Sequence, residues 1–575
     1  MLGCSGRNRQ DMLTILKMGK KFFVVILPLS IICFLIHFLV KPIPQMFNFL
    51  EKYPPFGASE DFPYSKNVYL WTSTTSNLSS ANGINDTFID PDEWLALMTE
   101  IKWPHPAQIP TTADVATDPA QCSCTVTNPD ATHRVGDYVT VEVFTRDAKG
   151  RPKTYGGDFF QAKLYNTELK ASTFGQVTDH RNGTYTIQLA LLWPGTATVS
   201  VRLIHSSEAV HVLARQRDQD PDKVYFLGYF RGKGLQETVH CNAQKSARLI
   251  GDGNNCCCIF SDPLTEETWI CRKPTKLPCS AWIEHSFGGY QARLSGLESS
   301  LLSRTSTDIT LPGCNIVLNV QQQTLKTSHK GKCSPGLDTP VPAGFFLQDK
   351  WMSLVCETRS FPSAEQVSAC MKDKHVLMMG DSTLRQWFEY LLQIVPTLKK
   401  LNFFTSQKSG PFEAVDVTSN ILLEWRAHGL PLRTDKTPRA DLHYIASELE
   451  RLPGGEHTVV VFTIWAHFTT HPLSTYIRRL SSIRRAVVSL LQRSLGRTLV
   501  VIKSANTGYK DVYGSDWLSW QLDCVLRAMF RNLPVVILDV WQMTSCHYAP
   551  DNIHPSSVVV RNEVELFLSF VCPNH

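Results

Sequence analysis

A change of hydrophobic period between residues 374 and 395 constrains this chain more than any other stretch. The segment KHVLMMGDSTLRQWFEYLLQIV opens with an apolar run, 375–379, bounded by charge and then by Gly380, which is the pattern of a short buried strand. Leu384, Trp387, Phe388, Leu391, Leu392 and Val395 then recur on one face of a helix. Gly380-Asp381-Ser382 therefore sits at a strand-to-helix turn. A serine there stands above the sheet edge, among unpaired backbone N–H groups at the positive end of the helix dipole, where an oxyanion can be held. Taken alone, Asp381 or Ser382 reads as nothing more than an N-cap.

A second string near the other end gives the first its meaning. In Asp551-Asn552-Ile553-His554-Pro555 the acid precedes the histidine by three residues. Both side chains then lie on one side of a turn, so a carboxylate could hold one ring nitrogen while the other faces a serine. Pro555 is expected to start the last helix, with Val560, Val564, Phe567 and Val571 as its buried stripe.

The strings GDSTLRQWFEY and DNIHPS resemble the esterase-like domain of the neurexophilin and PC-esterase (NXPE) family. That domain is itself similar to the SGNH (GDSL-like) hydrolases and acyltransferases. The resemblance implies Ser382 as nucleophile, His554 as base and Asp551 as its orienting partner. SGNH enzymes complete the oxyanion hole with a Gly and with an Asn in a G-x-N-D string, which this chain lacks. The remaining oxyanion or substrate candidates are Gly380, Asp381, His467 in Trp465-Ala466-His467, and Asn506 after the next strand. Arg385, one turn into the helix, could meet an anionic substrate or make a structural ion pair. Trp387 and Trp517 read as core before they read as sugar platforms.

Residues 341–575 alternate strand and helix. Strands are expected at 457–464, 498–502 and 535–540, and helices at 474–494 and 515–531. Consecutive βα units with Val/Ile-rich strands indicate an α/β domain with a mainly parallel sheet and ligands at the strand C-termini. Residues 113–215 alternate with period two between turn signals, which suggests an immunoglobulin-like β-sandwich resembling the neurexophilin domain. Residues 216–340 form a Cys-rich segment expected to be disulfide-bonded rather than zinc-binding, since the spacings fit no pair of zinc knuckles.

Topology follows from the N-terminal end. Residues 22–40 are an unbroken apolar run preceded by Arg7, Arg9, Lys17, Lys20 and Lys21, the pattern of a signal anchor with a cytosolic tail, 1–21. A cleaved signal peptide with secretion is the alternative, although no A-x-A-like site follows. Residues 41–112 read as a stalk with one amphipathic helix after Asp90, and Asn77, Asn85 and Asn182 begin glycosylation sequons beyond the span. Of 17 cysteines, Cys4 and Cys33 fall before or within the span, and most of the other 15 should pair in an oxidising lumen. A net charge of +5 without basic blocks argues against a nucleic-acid partner.

By resemblance, the expected function is acyl transfer through a serine ester in the secretory pathway, in the Golgi or a neighbouring membrane. Sialic acid O-acetylation on a glycan or sialylated glycoprotein comes first and glycan O-acetyl ester hydrolysis second. No bound cofactor is expected. The co-substrate would be an acetyl donor, acetyl-coenzyme A or a lumenal acetyl carrier. A non-catalytic surface or secreted glycoprotein that binds a cell-surface receptor through its β-domain is the alternative class.

Overall fold

The computed structural model describes residues 91–573 apart from 105–111, 130, 254, 292, 324–329, 404, 406, 407 and 510–512. The expected cytosolic tail, the expected anchor at 22–40, most of the expected stalk, and Asn77 and Asn85 lie outside the described residues. Among the described residues no helix is long and apolar enough to cross a membrane.

The strand expected at 375–379 is His375–Gly380, and it lies at the centre of a seven-stranded sheet. The order runs 399–400, 412–416, 421–427, 375–380, 458–462, 499–503, 536–538. From Ile421–Ala427 to Val536–Leu538 every pairing is parallel, whereas the first two strands join antiparallel. Because side chains alternate along a strand, Leu377, Met379, Val460 and Phe462 enter one core and Val376, Met378, Val459 and Val461 the other. Helices Leu473–Arg493 and Asp516–Phe530 cover the first face. Helices Ser382–Ile394 and Ser557–Val571 cover the second. Burial on both faces explains the apolar runs that the sequence shows.

Two boundaries differ from expectation. The last strand stops at Leu538 because Asp539 caps a new helix, Val540–Cys546, its carboxylate accepting from Gln542 N–H at 2.9 Å. The last helix begins at Ser557 after an N-cap at Ser556, so Pro555 stays in the preceding turn. Val560, Val564 and Phe567 are buried as expected, and Val571 is half-buried.

The β-domain forms a largely antiparallel hydrogen-bonded path. It runs through Ser123–Val126, Tyr138–Phe144, Thr184–Ala190, Ala171–Asp179, Phe159–Asn166, Gly195–His205 and Val317–Gln321. Val139, Val141 and Val143 are fully buried between exposed or half-buried neighbours, which accounts for the period of two. The hairpin of Gly344–Leu347 and Lys350–Ser353 pairs with Ala171–Asp179, so the sheet draws strands from well beyond residue 215. Residues 207–219 are helical, with the Ser206 hydroxyl capping Ala209 N–H at 3.3 Å. The helix after Asp90 is Pro91–Glu100, and it buries Leu97 and Ile101 in the α/β core while Met98 stays exposed.

Twelve of the 15 cysteines pair: Cys124–Cys314, Cys241–Cys271, Cys256–Cys257, Cys258–Cys279, Cys333–Cys356 and Cys370–Cys572. Cys122 and Cys546 are buried free thiols. Cys241–Cys271 and Cys258–Cys279 staple a second sheet built from strands between Val224 and Tyr290 with Thr437–Pro438 at its edge, whereas Cys256–Cys257 joins adjacent residues. Phe159 and Ile204 of the β-domain belong to the same buried core as Leu377, Val460 and Phe462, so the β-domain and the α/β domain share a continuous interior.

Candidate active site

The strand ends at Gly380, a position where nothing larger fits. A Cβ at this position would lie 2.7 Å from the Thr463 methyl and 3.0 Å from the Thr463 carbonyl oxygen. Asp381 is the N-cap of the next helix, its Oδ1 accepting from Thr383 N–H at 2.8 Å and from Thr383 Oγ1 at 2.7 Å. The capping function thus belongs to the acid, and Ser382 takes the first helical position, where its N–H has no acceptor within the helix.

Ser382 Oγ lies 2.7 Å from His554 Nε2, a contact between residues 172 positions apart and open to solvent. Two elements of the sheet edge hold the turn that carries the histidine. Asn506 Nδ2 donates to the Ile553 carbonyl at 2.9 Å, and Gln386 Nε2 donates to the Pro555 carbonyl at 3.3 Å, bracketing His554. Asn552 Oδ1 accepts from His554 N–H at 2.9 Å, closing the turn on itself. Gly508 packs so closely on Asn552 that a Cβ there would stand 2.4 Å from the Asn552 carbonyl carbon.

Burial holds the His554 imidazole below the usual 6.5, with Arg385 and Lys503 pushing the same way and Asp381 opposing them. The ring is therefore neutral at neutral pH, the state needed to accept a proton from Ser382. Lys503 is fully buried beneath the helix start. It donates to Asn506 Oδ1 and, at 3.4 Å, to Thr383 Oγ1, and burial lowers its pKa.

Asp551 departs from the expected arrangement. Its carboxylate meets the Arg202 guanidinium in two parallel contacts of 3.2 and 3.3 Å, and among the described residues His554 Nδ1 has no hydrogen-bond partner. The contact between Asp551 and the imidazole that the D-x-x-H spacing suggested is not made, because a cation from the β-domain takes the carboxylate. Sequence reasoning had no access to that cation, which lies 349 positions away.

The other candidates divide. Asn506 is buried and spends its amide on Ile553 and Lys503, so it holds the His554 turn. His467 Nδ1 faces His428 Nε2 at 3.1 Å and accepts from Arg433 N–H at 3.4 Å. Burial, then His428 and Arg433, hold its pKa far below 6.5. Its neighbour Ala466 donates its N–H to Asp381 Oδ2 at 3.4 Å, which places this loop beside the helix start. Arg385 donates to Glu389 at 3.0 Å and to the Lys408 carbonyl at 2.8 Å, an ion pair within reach of His554. Trp387 and Trp517 are core, and Trp387 Nε1 donates to buried Glu563 at 2.5 Å. Asn182 is exposed in a turn, its Oδ1 accepting from Thr184 N–H at 3.0 Å. Sequence reasoning missed Gln386, Gly508 and Lys503; only Gly508, next to Asn506 and Thr507 in a loop after a strand, carried a turn signal.

Comparison with known proteins agrees with this architecture. Residues 351–572 match the family described as NXPE family member 4-like, C-terminal domain, and residues 112–296 match the family described as Neurexophilin. The chain belongs to the NXPE family. Among solved structures it is similar to a family two carbohydrate esterase from Clostridium thermocellum in complex with cellohexaose. Identity is 9%, coverage is 76% of this chain and 92% of that one, and the TM-score is 0.20. An active-site mutant of that esterase gives 10% identity, 78% and 96% coverage and the same TM-score, 0.20. The bacterial integrin-binding protein invasin gives 10% identity, 54% and 59% coverage and a TM-score of 0.13. At such TM-scores these three likenesses carry no argument.

Proposed function

We propose that the protein transfers acyl groups through an ester on Ser382, with glycans as acceptors, and that its first reaction is O-acetylation of sialic acid in the secretory pathway. The observation that carries this reading is the 2.7 Å contact between Ser382 Oγ and His554 Nε2 at the N-terminus of a helix. As Oγ attacks the acyl carbonyl carbon, Nε2 takes its proton and returns it to the departing group of the donor, leaving the acyl-serine. An acceptor hydroxyl then gives its proton to Nε2 and attacks the acyl carbon, and the O–acyl bond to Ser382 breaks with return of the proton. The Ser382 backbone N–H, at the positive end of the helix, is a donor that can serve the oxyanion. Asp551 serves this chemistry through the turn it anchors.

The same acyl-serine yields to water, which keeps glycan O-acetyl ester hydrolysis as the neighbouring reading. Six disulfides support placement in an oxidising lumen. With the basic flank and apolar run at residues 7–40, they support a single-pass type II membrane protein of the Golgi or a neighbouring compartment. The acetyl donor must then be available on the lumenal side, as acetyl-coenzyme A or as a lumenal acetyl carrier.

The test compares O-acetylated sialic acid, measured by mass spectrometry with and without alkali, in cells expressing wild type or Ser382→Ala at matched level. Acetylation above background with wild type, and none with the variant, is expected, since loss of a nucleophilic serine removes on the order of 10⁶ in rate. Equal acetylation would defeat the reading and leave the receptor-binding class ahead. A fall in pre-existing acetylation with wild type alone would assign hydrolysis instead.

A further inference from the structure

The turn that carries His554 is irregular from residue 547 to 556, and part of its anchorage comes from the β-domain. Gln161 and Arg202 are cross-strand partners on neighbouring β-domain strands, and Lys163 lies two positions beyond Gln161. Ala162 and Val201 point into the β-domain core, so these three polar side chains leave the sheet on its opposite face. Lys163 Nζ donates to the His547 carbonyl at 2.5 Å, the first residue of the turn. Arg202 holds Asp551 through both terminal nitrogens and also bonds Asp308 at 2.9 Å and Gln161 Oε1 at 2.7 Å. Gln161 Nε2 donates to Asp516 Oδ2 at 3.0 Å. Asp516 Oδ1 in turn accepts from the N–H groups of Gly508 and Tyr509 at 2.9 and 2.8 Å, and Gly508 is the residue packed on Asn552. The β-domain face thus grips the turn directly at 547 and 551, and reaches 552 only through Asp516 and Gly508 of the α/β domain.

We propose that the β-domain face of Gln161, Lys163 and Arg202 is a positioning element of the active site, with Arg202 setting the His554 turn through Asp551. The proposal rests on the reading of Ser382 and His554 as the reacting pair. Its physical basis is geometric and electrostatic. A bidentate guanidinium–carboxylate pair fixes direction as well as distance. Arg202 is also the cation that Asp551 and Asp308 share, so removing it takes a positive charge from between two carboxylates beside the turn. A β-domain joined to an esterase-like domain is therefore no separable binding module here, because the reacting pair is set only when both are in place.

The experiment uses the full-length protein and two readouts. The first is the rate at which a fluorophosphonate labels Ser382 in wild type, Arg202→Gln, Asp551→Asn and the double variant. About tenfold slower labelling is expected for each single variant, in line with what displacement of a reacting group by a fraction of an ångström costs. The double variant should be no slower than the slower single, because Arg202 acts through Asp551. Wild-type labelling in Arg202→Gln, or losses that multiply in the double variant, would overturn the proposal. Arg202→Lys keeps the charge but loses the fork and should fall in between even if Arg202→Gln fails to fold; a wild-type rate in Arg202→Lys would also overturn it. The second readout is hydrogen exchange across 547–556, which needs no chemistry at Ser382. Faster exchange confined to that segment in Arg202→Lys supports the hold, and unchanged exchange refutes it. A wild-type protein that never labels would sink the proposed function, while exchange would still decide whether Arg202 positions the turn.

Discussion

Substituting Gly508 by alanine adds one carbon at the point where the sheet edge meets the His554 turn. Gly508 has φ of +100°, outside the range that residues with a side chain favour, so the backbone is strained whatever the space. The new Cβ would stand 2.4 to 2.6 Å from three backbone atoms of Asn552, whereas ordinary contact begins at 3.4 Å. Backbone cannot rotate aside as a flexible side chain can, so the turn must retreat by roughly 1 Å. His554 is two residues on and travels with it. A misplacement of about 1 Å costs on the order of 10²-fold in rate, about 2.7 kcal/mol of barrier, while the stability loss from the strained φ stays near 1–3 kcal/mol. The assay is the second-order rate of fluorophosphonate labelling at Ser382, read beside a thermal melt to confirm folding. A folded Gly508→Ala protein that labels at the wild-type rate would refute the claim that this contact sets the base.

Other expectations follow from titration and cross-linking. Because burial depresses the His554 pKa, labelling of Ser382 should rise with pH along an acid limb whose midpoint lies below 6.5, and a midpoint above 6.5 would contradict the described surroundings of the ring. Burial, as the first cause at each, lowers His205 and His471 to about 3 and His285 and His428 to about 4. The unfolded chain takes up protons below about pH 6.5 that these rings refuse, so stability falls as pH drops from 6.5 towards 4, by up to about 1.4 kcal/mol per pH unit for each ring. Buried Asp158 and Asp516, raised to about 7 chiefly by burial, bind protons in the folded state over the same range and offset part of that decline, so melting from pH 7 to 5 should show a reduced net fall, and a stability that rises as pH drops would refute the burial of these rings. Replacing Cys370 and Cys572 together by serine opens a bridge between residues 202 positions apart and should cost about 2–5 kcal/mol, seen as a lower melting temperature at pH 7.

What the sequence revealed follows the reach of each signal. The helix after Ser382 and the strand before it were legible because burial on two faces leaves a local record in hydrophobic period, as at Leu377 and Met378, which enter opposite cores. The pairing of Ser382 with His554 was legible because two short strings resembled one family and a parallel sheet brings strand C-termini together. Asp539 ended a strand early by capping a helix, a local competition that a run of valines and isoleucines from 535 to 540 conceals. The place of Asp551 was not legible. The spacing fixed its distance along the chain from His554, but its direction was set by Arg202, a residue that in sequence is one more polar position on an alternating strand. Contacts of that range leave no local mark, and neither do Lys503 beneath the helix start nor Gln386 on the Pro555 carbonyl.

In the proposed reaction His554 makes Ser382 a nucleophile by taking its proton. Peptide mapping of the full-length protein after treatment with a fluorophosphonate, for wild type and His554→Ala, decides whether it does. A single phosphonylated residue, Ser382, is expected in wild type, with labelling slowed by several orders of magnitude in His554→Ala. No adduct at Ser382 in a folded wild-type protein, or equal labelling in the two proteins, would contradict it.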